Sequence, residues 1–210
     1  MGLLDTLLGR TKPVQSNLDA LFALPSASIT LQSAAGMSCS GHAGVCFKPP
    51  SGQGFEEMQA EVVKLLSMDG TGGLRKAEDS YGYHWLVVED PDIEALVTQI
   101  HLVNSSLSDA GWGPQLLCSV FGLATLPTTD PPSEADLGPT SITVGPGHVV
   151  PSTAFLVYLF KRGTFYPFVP TGTEKRDIEE ELKLKSLVTD DLVVEADLDR
   201  WFPLWDLPVG

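Results

Sequence analysis

Between Pro91 and Gly111, apolar residues return every third or fourth position: Ile93, Leu96, Val97, Ile100, Val103 and Leu107. That spacing predicts an amphipathic helix with one buried stripe. Pro91 reads as its first residue, Asp90 as its cap, and Gly111 and Gly113 as its end. On either side the period falls to two. LRKAEDS and YHWLVVED, joined near Tyr81-Gly82, predict a hairpin whose second strand puts Tyr83, Trp85 and Val87 on one face and His84, Leu86 and Val88 on the other. PQLLCSVFGLAT predicts a further apolar strand.

The same patterns extend outward. NLDALFALPSA predicts a short helix capped by Asn17 and stopped at Pro25, and SASITLQ a short strand. Residues 36–44 are small and polar and read as loop. HAGVCFKP follows as a strand, then FEEMQAEVVKLLSM as a helix with Phe55, Met58, Val62, Leu65 and Leu66 in one stripe. AFLVYLFKRGTFYPFVP predicts a hairpin turning at Arg162-Gly163. The segment from Asp177 to Val188 predicts a charged helix with Ile178 and Leu182 facing inward.

The order strand, helix, strand, strand, helix, strand predicts an α+β fold. It has an antiparallel sheet with helices packed on one face, a ferredoxin-like split βαβ core, and a C-terminal hairpin-helix. The chain reads as a single domain, 1–210, with an N-terminal helical segment (1–25). Residues 127–153 carry six prolines with little periodicity and read as an insert or flap, since so long a connection is uncommon in a compact domain. The closing DLDRWFPLWDLPVG makes no regular element and is expected to lie against the body.

Charge removes several classes of function. With 27 acidic against 13 basic residues, a formal charge of -14 opposes binding to nucleic acid and adsorption to anionic lipid. It favours a basic partner if there is one. No stretch approaches the roughly 20 apolar residues of a membrane span, and the opening lacks a basic n-region and a cleavage site. Three cysteines, Cys39, Cys46 and Cys118, make a disulfide framework improbable and point to a reducing, cytoplasmic setting.

Chemistry-bearing residues are sparse. Cys39, His42 and Cys46 match no zinc-ligand spacing. There is no G-x-S-x-G, P-loop or dinucleotide fingerprint. His148 has no partner evident in sequence, and Glu89 and Asp90 sit on opposite strand faces. No catalytic residue, metal or cofactor is assigned, and the protein reads as a non-enzyme. Two apolar sets remain as candidate partner contacts. Leu3, Leu4, Leu7 and Leu8 share one face of an opening helix. Phe165, Tyr166, Phe168, Trp201, Phe202 and Trp205 form a late aromatic set of the residue types that dominate hot spots, although core packing is the commoner use of such residues. Burying four leucines yields about 6 kcal/mol, which ordering roughly eight residues at about 1 kcal/mol each consumes. The opening segment therefore needs a ready-made groove rather than a bilayer.

Four separated strings, MGLLDTLLGR, GWGPQLLCSVFG, VYLFKRGTFYPFVP and RWFPLWDLPV, resemble the actinobacterial PspA-associated PspAB family over nearly the whole chain. The proline-bearing insert lies outside the resemblance. The resemblance implies a cytoplasmic or membrane-peripheral accessory protein of the phage-shock envelope-stress response, with a PspA-like membrane-stress protein as partner and no established catalytic residues. The leading expectation is an adaptor acting by protein-protein docking. The alternative is a small-ligand sensor with 127–153 as a lid over an apolar pocket.

Overall fold

The computed structural model describes residues 16–48, 60, 64, 74–125 and 153–209. The strands are β1 (Met37–Phe47), β2 (Leu74–Glu78), β3 (His84–Glu89), β4 (Leu116–Thr125), β5 (Thr153–Leu159) and β6 (Thr164–Phe168), with a small ribbon of β7 (Pro170–Gly172) and β8 (Lys175–Arg176). The helices are α1 (Leu24–Ala35), α2 (Ile93–Leu107) and α3 (Ile178–Val188). β1 to β6 form one sheet in the order β2-β3-β1-β4-β5-β6, and every neighbouring pair is antiparallel. The fold is α+β, as the periodicities predict. The connection between β1 and β2 lies outside the described residues, apart from Ala60 and Lys64, which are helical. The expected stripe from Phe55 to Leu66 therefore falls there too.

The sheet is buried on both faces. On one, α1, α2 and α3 contribute Leu24, Leu31, Ile100, Val103, Leu184 and Val188 to a core with Val45, Phe47, Leu86, Val88, Phe121 and Tyr158. On the other, Trp85, Val87, Cys46, Cys118, Val120, Phe155, Val157, Tyr166 and Phe168 meet the closing segment through Trp201 and Val209, with Leu204, Trp205 and Leu207 alongside. The alternation in β3 is as expected: Leu86 and Val88 face the helices, and Trp85 and Val87 face the tail.

Five local expectations are corrected. Pro25 does not stop a helix but stands in the first turn of α1, where proline lacks no needed hydrogen bond. The stretch SASITLQ is therefore helical, ended by Gly36 in the left-handed conformation (φ 63°). Residues 37–44 are strand, paired to β4 from Met37 and to β3 from His42. A register shift between Cys39 and Ala43 there, with Gly41 at φ 81°, explains why the alternation looked loop-like. The cap of α2 is Asp92, whose side chain accepts from the Glu94 amide; Asp90 instead accepts from the Asp92 amide and Gln99 Nε2. In α3 the inward stripe is Glu181, Leu184 and Val188, while Ile178 and Leu182 are 53% and 39% exposed. Arg176 turns the helix that way: its Nε donates to Oε1 of the fully buried Glu181 carboxylate (2.8 Å) and its Nη2 to Oε2 (2.5 Å).

Candidate functional site

The face of the sheet away from the helices is closed by a strap, residues 201–209, rather than by a regular element. Small residues on β1 and β4 let it approach. A Cβ on Gly44 would sit 2.8 Å from Val209 Cγ2 and 3.2 Å from Trp85 Cε3, so only glycine leaves room for the end of the strap. The two ends of the strap are tied by hydrogen bonds. Trp201 Nε1 donates to the Glu195 carbonyl (3.0 Å), and Arg176 Nη1 donates to the Trp201 carbonyl (2.6 Å). The Tyr166 hydroxyl donates to the Phe202 carbonyl (2.7 Å). At the far end, Arg75 Nη2 donates to the Pro208 carbonyl (2.7 Å).

Two buried carboxylates hold the near end. Glu181, fully buried, pairs with Arg176. Glu195, 2% exposed, pairs with Arg162 and accepts from Thr164 Oγ1 (3.0 Å) and the Asp197 amide (3.1 Å). Burial alone raises the Glu195 carboxyl; the Arg162, Asp197 and Thr164 hydrogen bonds outweigh it and hold the group below its ordinary value.

Between strap and sheet lies a cavity of about 620 Å³, walled by Trp85, Leu117, Leu159, Tyr166, Leu204 and Trp205. Tyr81, Tyr83 and Phe202 stand at its opening, and Cys46 and Cys118 at its floor. The two cysteines are direct cross-strand partners and free thiols. The neighbouring Cys118 thiol, and then burial, push the Cys46 thiol far above its ordinary value, so Cys46 is a poor nucleophile. Burial likewise raises the Tyr166 hydroxyl. Asp79 organises the wall: Oδ1 accepts from the Tyr81 and Tyr83 amides (2.9 and 3.0 Å) and Oδ2 from Trp85 Nε1 (2.9 Å). Lys161, Arg162 and Arg200 add cationic groups to the lining.

The late aromatic set divides here. Phe165, Tyr166, Phe168 and Trp201 are at most 5% exposed and belong to the two cores. Phe202, 56% exposed, and the half-buried Trp205 are the members that solvent reaches. Leu3, Leu4, Leu7 and Leu8 lie outside the described residues, as does His148. The connection read as a lid also lies outside them, but its attachment points do not. It leaves from Thr125 and returns at Thr153, six residues along the strands from the Cys118–Leu159 pair, or about 20 Å. Among the described residues, the strap covers the cavity through Phe202, Leu204 and Trp205.

Other candidate groups stay apart. Cys39 packs toward the helices and Cys46 toward the strap, so Cys39, His42 and Cys46 do not converge. His84 meets Glu78 and the Phe47 ring, and His101 meets Asp19 and Phe22. Among the described residues no three His, Cys, Asp or Glu side chains are placed to hold a metal ion, and no helix is long and apolar enough to cross a membrane.

Sequence reasoning missed Tyr81, Tyr83, Trp85, Asp79 and the Cys46–Cys118 pair as one site. The available signal was size asymmetry. In β1 and β4 the helix-facing positions carry Val45, Phe47, Phe121 and Leu123, whereas the opposite face carries Gly44, Cys46, Cys118 and Gly122 beside the larger Leu117 and Val120.

The profile of the PspAB family, described as PspA associated protein B, matches residues 1–209 and so runs through the proline-bearing connection as well. No curated protein and no solved structure matches the chain.

Proposed function

We propose that this chain, which belongs to the PspA associated protein B family, is a non-catalytic accessory protein of a PspA-type envelope-stress response. It works by docking a PspA-type partner at or near the inner face of the membrane. The observation that carries the reading is the family match over residues 1–209, because the family's description names an association and no reaction. The surface around the strap supports it. Phe202 and Tyr81, 56% and 54% exposed, line the same opening, and clustered exposed aromatics are what interfaces use as anchors. The charge of -14 steers a basic partner surface and contributes more to encounter rate than to affinity.

Co-purification of the full chain with a PspA-type protein tests the proposal. The wild type should retain the partner. Phe202→Asp should release it without lowering the melting temperature, since that ring is mostly in solvent. Leu4→Asp/Leu7→Asp probes the second apolar set in the same assay. A wild-type chain that never retains the partner, or variants at both sets that bind as well as wild type, refutes docking through these residues.

A further inference from the structure

We propose that the cavity under the strap binds a single-chain anionic amphiphile, a long-chain carboxylate, with the hydrocarbon chain inside and the head at Lys161. This goes beyond the docking reading and does not depend on it.

The interior selects an apolar occupant. About 620 Å³ falls within the range that takes one small organic ligand, and the Asp79 carboxylate and Tyr166 hydroxyl of its wall already have partners. Both Asp79 oxygens accept from Trp85 Nε1 and from the amides of Tyr81 and Tyr83. The Tyr166 hydroxyl donates to the Phe202 carbonyl, and the buried Cys46 and Cys118 thiols face each other across the strand pair. A polar group buried there would lose its water and gain nothing. An extended peptide brings an N–H and a C=O with every residue, and β1, β3 and β4 already pair on both sides. A hydrocarbon chain has no such demand.

The mouth selects the head. Arg162 and Arg200 are balanced by Glu195 and Asp197. Lys161, exposed in the turn between β5 and β6, has no carboxylate partner among the described residues. A carboxylate at the mouth would supply one while staying in contact with water, which avoids the desolvation of a buried charge. Entry is provided by the strap. It is hydrogen-bonded at Trp201, Phe202 and Pro208, but among the described residues no hydrogen bond holds 203–207. Leu204 and Trp205 cover the cavity by packing alone, so that stretch can lift while its ends stay fixed.

Titrating the full chain with palmitate below its critical micelle concentration, read by fluorescence of Trp85 and Trp205, tests the inference. The expected result is saturable quenching at one palmitate per chain with a rise in melting temperature, and much weaker binding of octanoate, whose chain fills less of the cavity. Lys161→Gln, a substitution in solvent, should weaken palmitate about fivefold. Leu117→Trp, which fills the cavity, should abolish binding in a chain that still melts cooperatively. The inference is overturned if palmitate gives no saturable change, if Lys161→Gln and Leu117→Trp both bind as wild type, or if anionic phospholipid vesicles bind while monomeric palmitate does not.

Discussion

Gly44 and Val209 give the sharpest quantitative test of the strap, because one is in the middle of the sheet and the other is near the end of the chain. A methyl group added at Gly44 lies 2.8 Å from Val209 Cγ2 and 3.2 Å from Trp85 Cε3. Both neighbours are 1% exposed, so neither has free space to move into. Overpacking of that kind costs about 2 kcal/mol, which for a chain of this length lowers the melting temperature by about 4–8 °C. Val209→Ala alone removes two buried methyl groups and costs about 2 kcal/mol including the space left behind. The two changes are not independent, since the new methyl at position 44 occupies what Val209 vacates. The double variant should therefore cost about 2 kcal/mol, not the ~4 kcal/mol of independent sites, a coupling of about 2 kcal/mol. Urea unfolding of the four proteins, followed by tryptophan fluorescence, measures each term. Costs that add to within about 0.5 kcal/mol would refute the seating of Val209 over Gly44.

The other predictions concern charge, thiols and the cavity wall. Glu195 titrates below its ordinary value in the folded chain, so it stabilises the fold above the unfolded-state value near 4.5, and that contribution is lost as pH falls through the lower folded value. Glu195→Gln should thus be less stable than wild type at pH 7, with the gap closing below about pH 4.5; a gap independent of pH in urea melts would contradict the ion-pair assignment. Cys46 and Cys118, at 3% and 5% exposure, should resist a thiol reagent at pH 8 in the native chain and react at once in denaturant; fast native labelling would mean the cavity floor is open. Asp79→Ala leaves Trp85 Nε1 and two amides without their acceptor, and should cost about 2–3 kcal/mol with a shift in tryptophan emission. An unchanged denaturation midpoint would rule out that role for Asp79.

The helices and strands were legible wherever the alternation was unbroken. The α2 stripe from Leu96 to Leu107 and the two faces of β3 follow from spacing alone, because burial on a regular element imposes its period on the sequence. Failures occurred where a local signal has two meanings. Pro25 is a helix breaker inside a helix and a good residue in its first turn, and only the following chain decides which. Met37–Gly44 is a central strand written in small residues, since a bulge and the close approach of neighbours, not hydrophobic demand, set its composition. Glu181 in the α3 stripe contradicts any apolar template, and it makes sense only with Arg176 beside it. The cavity was the least legible part. It is made by residues about 160 positions apart, Cys46 against Leu204 and Trp205, and no local period encodes such a contact. The N-terminal leucines were read from spacing too, but they lie outside the described residues.

The central claim is that the strap face, through Phe202 and its neighbours, is the working surface of this PspAB family member. Isothermal titration of the purified full chain with its PspA-type partner, wild type against Phe202→Asp, tests it most directly. Measurable binding by the wild type, weakened at least tenfold by Phe202→Asp at unchanged melting temperature, is the predicted result. Equal affinity for the two proteins would contradict it.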